Sequence, residues 1–127
     1  MLLNKCPSNP VTTFDVQMMA ASIHNNNGIW QFGFDFKANS FLPANTVITI
    51  DITGLPNGVI FSANTIAGGN YLANTNVNTI IFLVPIPAQT SFTVSGLLLG
   101  QMNVGGTATI SLSGDNIINN NSINAIY

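Results

Sequence analysis

The chain has 127 residues, the size of a single domain, but only 5% of them are charged, and two lysines against four aspartates give a net charge of −2. So few basic residues cannot neutralise a line of phosphates, which excludes nucleic acid as a partner. The longest apolar run, residues 80–84, is far shorter than the roughly 20 residues of a membrane-spanning helix, which excludes a spanning segment of that kind.

Apolar and polar residues alternate along most of the chain, which is typical of β-strands. The first alternating stretch begins at Phe14 and continues through Val16 and Met18. The clearest one covers residues 29–38, where four large aromatic residues fall on one face. These predicted core aromatics are Trp30, Phe32, Phe34 and Phe36. Four such side chains on one strand face are expected to fill much of a sandwich core.

Further alternating stretches lie at residues 47–52, 59–61, 79–84, 91–95, 107–113 and 123–127. Clusters of Gly, Pro and Asn separate them, for example at residues 25–28, 56–58 and 105–106. The sequence therefore predicts an all-β fold. We expect a single β-sandwich of about seven to eight antiparallel strands, either immunoglobulin-like or a jelly roll. Residues 1–10 are predicted to form an extended N-terminal arm, and residues 11–127 the β-sandwich domain.

The middle of the chain resembles a known family. Residues 46–52 form a strand pattern, residues 55–58 read Leu-Pro-Asn-Gly before a strand that runs into Ser-Ala, and Pro-Ala at residues 87–88 precedes another alternating strand. In these motifs residues 46–94 are similar to the immunoglobulin-like repeat domains of bacterial surface proteins. The resemblance implies an immunoglobulin-like sandwich with a structural role outside the cell, and it implies no catalytic residues. In composition the chain also resembles the jelly-roll fibre subunits of spore appendages.

The N-terminal region carries two candidate assembly features. Cys6 is the only cysteine, so a disulfide can link it only to another copy or to another protein. Residues 11–19 are predicted to be extended and apolar on one side, which fits a strand donated to the open sheet edge of a neighbouring subunit. The donor-strand residues would be Val11, Phe14, Val16 and Met18. The alternatives are an ordinary first strand, or exchange of residues 122–127 instead. No signal peptide is recognisable at residues 1–10.

The titratable residues show no pattern that indicates catalysis or metal binding. His24 has no second histidine or nearby cysteine with which to hold zinc. Asp115 precedes the asparagines at residues 119–121, but one carboxylate is too little charge for a good calcium site, so we expect a polar loop there. Asn120 begins the only Asn-x-Ser/Thr sequon and is a candidate glycosylation site. We therefore expect no catalytic residue, no metal and no cofactor.

Neutral polar residues take the place of charges in this chain, with 19 asparagines, 12 threonines and nine serines. A surface of this composition does not repel its own copies. We therefore expect a non-enzymatic structural protein that self-assembles as a homopolymer by strand exchange, in an extracellular filament, appendage or surface layer of a cell or spore. The alternatives are a glycan-binding or adhesin module, in which an outward residue such as Tyr71 stacks on a sugar, and a viral capsid or fibre protein.

Overall fold

The structure, a computed structural model, describes residues 14–68, 71–115, 117 and 119–127. Cys6 and Val11 lie outside the described residues. The described part of the chain consists of nine β-strands and their connections, with no helix. The strands are β1 (Val16–Asn26), β2 (Ile29–Ala38), β3 (Val47–Thr53), β4 (Ile60–Ala67), β5 (Ala73–Asn76), β6 (Thr79–Phe82), β7 (Thr90–Leu99), β8 (Thr107–Ser113) and β9 (Ser122–Ile126).

The strands form two antiparallel sheets that share one core. The first sheet has the strand order β1-β2-β7-β4, and the second has the order β5-β6-β3-β8-β9. The predicted all-β sandwich is confirmed, with nine strands in the described residues where the sequence predicted seven to eight. β2 and β7 form the central pair of the first sheet, and β3 lies between β6 and β8 in the second.

Aromatic side chains from both sheets meet in the core. The aromatic residues of β2 are Phe32, Phe34 and Phe36, which are buried, and Trp30, which is partly buried near the start of the strand. Phe36 stacks on Phe92 of β7 with ring centroids 5.3 Å apart. Phe82, from the second sheet, lies 5.2 Å from the same Phe92 ring. Each such side chain contributes roughly 1.5–3 kcal/mol when fully buried, so this cluster holds the two sheets together.

The sandwich has two ends that differ in structure. At one end a two-residue turn, Asn27 and Gly28, joins β1 to β2, and both residues have positive φ, 54° and 90°. That conformation is required by type I′ turns, which favour Asn-Gly. At the opposite end β1 begins with Val16, which pairs with Ala38, and Asp15 precedes it. We call these the Gly28 end and the Asp15 end.

The two sheets are joined along both long sides by backbone hydrogen bonds. On one side Met18 of β1 donates its amide to the carbonyl of Asn120, just before β9, at 2.9 Å. On the other side Ala63 of β4 donates its amide to the carbonyl of Val77, just after β5, at 2.7 Å. The second join covers only part of the side between β4 and the second sheet, and this partial closure creates the groove described next.

Candidate functional site: an apolar groove between the sheets

An apolar groove of about 410 Å³ opens at the Gly28 end of the sandwich. Its lining residues are Ile52, Gly54, Leu55, Val59, Ile60, Phe61, Val77 and Asn78. Ile60 pairs with Leu99 at the end of β7, which places the groove at this end of the first sheet. The Tyr127 hydroxyl donates a hydrogen bond of 2.8 Å to the carbonyl of Gly54 and so fixes one side of the opening.

The groove exists because the β5–β6 hairpin is short. Its turn, Val77-Asn78, fills only part of the gap between β3 and β4. The Asn78 carbonyl accepts a hydrogen bond from the amide of Ile50 at 2.7 Å, and the Val77 carbonyl accepts one from Ala63 at the same distance. β6 pairs with β3 only from Val47 to Thr49. Nearer the Gly28 end, the described residues place no strand between β3 and β4.

Backbone groups of both flanking strands face this gap. Alternate residues of a strand direct their amide and carbonyl groups to the same side. Ile52 lies two residues after Ile50 on β3, and Phe61 lies two residues before Ala63 on β4, so both direct these groups into the groove. Among the described residues neither amide has a partner on that side. The groove therefore offers one residue with unpaired backbone groups on each flanking strand, beside an apolar lining, and strand addition uses main-chain pairing together with side-chain pockets.

Val77 is held in a conformation that is unusual for valine. Its φ is 54°, in the left-handed region, where a β-branched residue is an outlier. The first position of a two-residue hairpin turn normally favours glycine or asparagine. The side chain is 52% exposed and lines the groove, so core packing does not require valine here. Backbone strain of this kind concentrates at functional sites, which singles out Val77 as a candidate binding residue.

A row of exposed apolar side chains continues from the groove across the first sheet. Leu99 pairs with Ile60 on one side, and Ile29 lies opposite Leu99 on the other, one position beyond the Trp30–Leu98 pair. Ile29, Leu99 and Ile60 are 57%, 47% and 62% exposed. Contiguous exposed apolar side chains mark interaction surfaces, whereas single ones are ordinary. The Gly28 end is therefore an apolar surface as well as an open edge.

The Asp15 end carries polar contacts instead. The Asp15 carboxylate accepts a hydrogen bond of 2.8 Å from Nδ2 of Asn39, and both of its oxygens lie 3.1 Å from Nδ2 of Asn120. The Asp15 amide donates to Oγ of Ser40 at 2.8 Å. These bonds attach the start of β1 to the residues that follow β2 and precede β9. The Asn120 nitrogen that would carry a glycan is thus engaged with Asp15, and glycosylation there stays a prediction.

A second carboxylate completes the polar contacts at this end. Asp115 accepts a hydrogen bond from the amide of Val16 at 2.9 Å and another from Nδ2 of Asn121, which is only 2% exposed. The Oδ1 atoms of Asn120 and Asn121 are buried without a partner among the described residues. In the part of the chain that the structure describes, no three His, Cys, Asp or Glu side chains group to hold a metal ion. The arrangement positions Asp115 and Asn121 against β1.

The remaining polar residues singled out from the sequence make single cross-strand contacts. His24 is exposed, with Nε2 3.2 Å from Oε1 of Gln31. Asp35 accepts a hydrogen bond of 2.7 Å from the Thr93 hydroxyl. A nucleophile, a base and an orienting acid would have to converge for catalysis, and these two contacts bring no such set together.

Two of the predicted donor-strand residues belong to the chain's own first sheet. Val16 and Met18 are buried in β1, which pairs with β2 along its length. Phe14 is partly buried against the core. From Val16 onward, β1 thus has the place of an ordinary first strand, one of the alternatives that the sequence left open. β9 pairs with β8 within the chain in the same way.

Sequence reasoning did not find the groove. Its width depends on where the β5–β6 hairpin ends, and that position is set by pairing between residues distant in the chain. One local signal was present: Val77 is an apolar residue between Asn76 and Asn78, at a turn where valine has no conformational advantage.

Comparison with known proteins gives no relative for this chain. No family model matches it, and no curated protein or solved structure matches it either. Within the described residues no helix is long and apolar enough to cross a membrane.

Proposed function

We propose that this protein is a non-enzymatic structural subunit that assembles with copies of itself, outside the cell or at a cell or spore surface, into a filament, an appendage or a surface layer. The observation that carries the proposal is the apolar groove with open strand edges at the Gly28 end. Open edges invite pairing with other chains, and proteins that stay monomeric usually block them with charge, proline or a covering loop. Here the groove lining is largely apolar, and so is the exposed row of Ile29, Leu99 and Ile60 beside it. These surfaces favour pairing with a specific segment of another chain.

We assign the exchanged segment to residues 1–13. The sequence predicted a candidate for strand exchange at each end of the chain. Both β1 and β9, however, have partners within their own sheets. We therefore place the exchange in the part of the predicted donor region that precedes Phe14, which lies outside the described residues. Cys6 lies in this segment, where a disulfide would reinforce a non-covalent contact between copies.

The neutral surface supports close packing of copies. With six charged residues in all, two Lys and four Asp, neighbouring subunits approach one another with little electrostatic repulsion. The polar surface of the strands is mostly Asn, Thr and Ser, which remain hydrated in the free subunit. The composition thus suits a protein that is soluble when folded and adheres to itself when concentrated.

A glycan-binding or adhesin module is the second candidate. One observation favours it: Tyr71 is 38% exposed, so its ring is accessible for stacking on a sugar. A viral capsid or fibre protein would assemble too, and a capsid would form closed shells rather than filaments. The shape of the assembly therefore separates these functions.

Electron microscopy of the purified full chain, over a range of concentrations with and without reductant, tests the proposal. We expect ordered filaments or sheets of globular subunits, with a mass that grows with protein concentration in sedimentation. Particles that remain monomeric up to millimolar concentration would overturn the structural function. A glycan array would then be the next measurement, with a Tyr71→Ala variant as its control.

A further inference from the structure

We infer that the groove between β3 and β4 is the acceptor site for residues 1–13 of a second copy of this chain, which enter it as an added strand. This inference rests on the proposed function and adds to it the place where one subunit holds the next. Its support comes from the backbone of the groove, its apolar lining and the position of Phe14 relative to it.

The hairpin turn shows how a backbone fits into the gap. The carbonyl of Val77 bonds to β4 through Ala63, and that of Asn78 bonds to β3 through Ile50, both at 2.7 Å. An added segment would continue this pattern one step nearer the Gly28 end, where it meets the open groups of Ile52 and Phe61. At the hairpin turn, the gap thus holds main chain that is hydrogen-bonded to both β3 and β4.

The lining selects apolar side chains. Six of its eight residues are Ile, Leu, Val or Phe, and none is charged. Residues 1–13 contain no acidic residue, and their apolar members are Met1, Leu2, Leu3 and Val11, with one cysteine. An extended segment places alternate side chains on one face, so two of these residues can enter the groove while the main chain pairs with an edge.

The position of Phe14 favours a second copy over the same chain as the donor. Residues 1–13 join the fold at Phe14, at the Asp15 end, whereas the groove is at the Gly28 end. The ten residues of β2 span the sandwich, roughly 33 Å at about 3.3 Å per residue. A segment that returned from Phe14 to its own groove would first have to run this whole length of the sandwich. A copy placed end to end presents its groove close to Phe14.

The strained backbone conformation of Val77 is consistent with a role in binding the added segment. Val77 lies at the inner limit of the groove, where an added segment would abut the hairpin turn, and it is half exposed without one. Asparagine or glycine would relieve the backbone at this position. Valine provides apolar contact area for the incoming segment instead, which is a reason for its presence in an otherwise polar turn.

Two full-length variants test the inference, one altered in the groove and one in the segment. Val77→Asp places a charge in the groove, and aspartate tolerates the left-handed conformation better than valine, so the fold should persist. The segment variant combines Leu2→Asp, Leu3→Asp and Val11→Asp. The control is Ile126→Asp, which adds the same charge at a 77% exposed position on β9, two strands from β3. All samples contain reductant, which removes any link through Cys6.

We expect the groove and segment variants each to raise the critical concentration for assembly by more than about tenfold, because a buried unpaired charge is costly, while Ile126→Asp stays within about twofold of the wild type. Mixing the two defective variants is the decisive measurement. The intact segment of one fits the intact groove of the other, so the mixture should give one-to-one dimers by light scattering and nothing larger.

Each result has a distinct meaning. If the wild type assembles but Val77→Asp assembles equally well, or if the mixture gives no heterodimer, the acceptor site is wrong while the structural function stands. If the wild type remains monomeric at all concentrations, the proposed function is wrong and the inference with it.

Discussion

The amide of Ala63 and the carbonyl of Val77 lie 2.7 Å apart, and this hydrogen bond marks the point where the side between β4 and the second sheet stops being closed. Toward the Asp15 end the β5–β6 hairpin lies beside β4. Toward the Gly28 end no described strand fills the gap, and its largely apolar lining includes the connection between β3 and β4. The Val77 carbonyl thus bonds to β4, while the Val77 side chain lines the groove.

Replacement of Val77 by asparagine should stabilise the free subunit and weaken its assembly. The free energy of unfolding should rise by roughly 1 kcal/mol, because asparagine tolerates a φ of 54° and little buried area is lost. Urea denaturation at a concentration below assembly measures it. Val104→Asn is the control, since Val104 is 81% exposed without a positive φ, and it should change stability by less than about 0.5 kcal/mol. A less stable V77N variant would show that the valine side chain contributes more than its conformation costs.

Removal of the Asp115 carboxylate should destabilise the sandwich. Asp115→Ala leaves the Val16 amide and Nδ2 of the buried Asn121 without their acceptor, which should cost about 2–4 kcal/mol. Chemical denaturation of the monomer measures the loss. Asp51→Ala is the matched control, because Asp51 is exposed on β3, and its effect should stay below about 0.5 kcal/mol. Equal effects of the two substitutions would contradict the structural role of Asp115.

Two glycines on neighbouring strands should differ in how well they tolerate alanine. A Cβ at Gly96 would overlap the carbonyl oxygen of Ser62 and come within 2.8 Å of the Cα of Ala63, so Gly96→Ala should cost at least about 1–3 kcal/mol. At Gly33 the nearest atom to a Cβ is 3.6 Å away, and the substitution should be neutral or stabilising by up to about 1 kcal/mol. Thermal denaturation of both variants measures the change in stability. A large loss of stability in Gly33→Ala would contradict the packing described for Gly33.

Substitution of Cys6 should separate covalent from non-covalent assembly. The sole cysteine of each chain can link two copies but cannot extend a polymer by itself. Cys6→Ser should therefore still assemble, and its polymers should dissociate in denaturant as readily as reduced wild-type polymers. Non-reducing gel electrophoresis should show wild-type dimers and only monomers for the variant. Loss of all assembly in the variant would show that Cys6 is required for assembly and does not merely reinforce it.

The strand framework followed from the sequence wherever side chains alternate without interruption. The aromatic residues of β2 predict both its bounds and its inward face, because the alternation runs unbroken to Phe36. The latter part of β1 escaped prediction for a local reason: the register shifts between Met18 and Ala20, and this bulge puts Met18 and Ile23, five residues apart, on the same buried face. An odd spacing of this kind hides a strand from a search for period two.

β5 and the groove escaped prediction for a different reason. Ala73–Asn76 is short and polar, and it forms a strand only because β6 is beside it. The groove depends in turn on how far this hairpin extends beside β3, which is a distance between residues remote in sequence. The polar contacts of Asp15 with Asn120 are equally non-local. Such features arise from tertiary pairing, which periodicity and turn composition do not encode.

The placement of Phe14 and the groove at opposite ends would give a row of copies joined in the proposed way a direction. One tip of the row would carry an unfilled groove and the other an unused segment, so the two tips would be chemically unlike. A chain with a blocked groove could join only at one tip and would stop growth there. The orientation of the row would thus follow from the asymmetry of a single subunit, without a separate protein to define it.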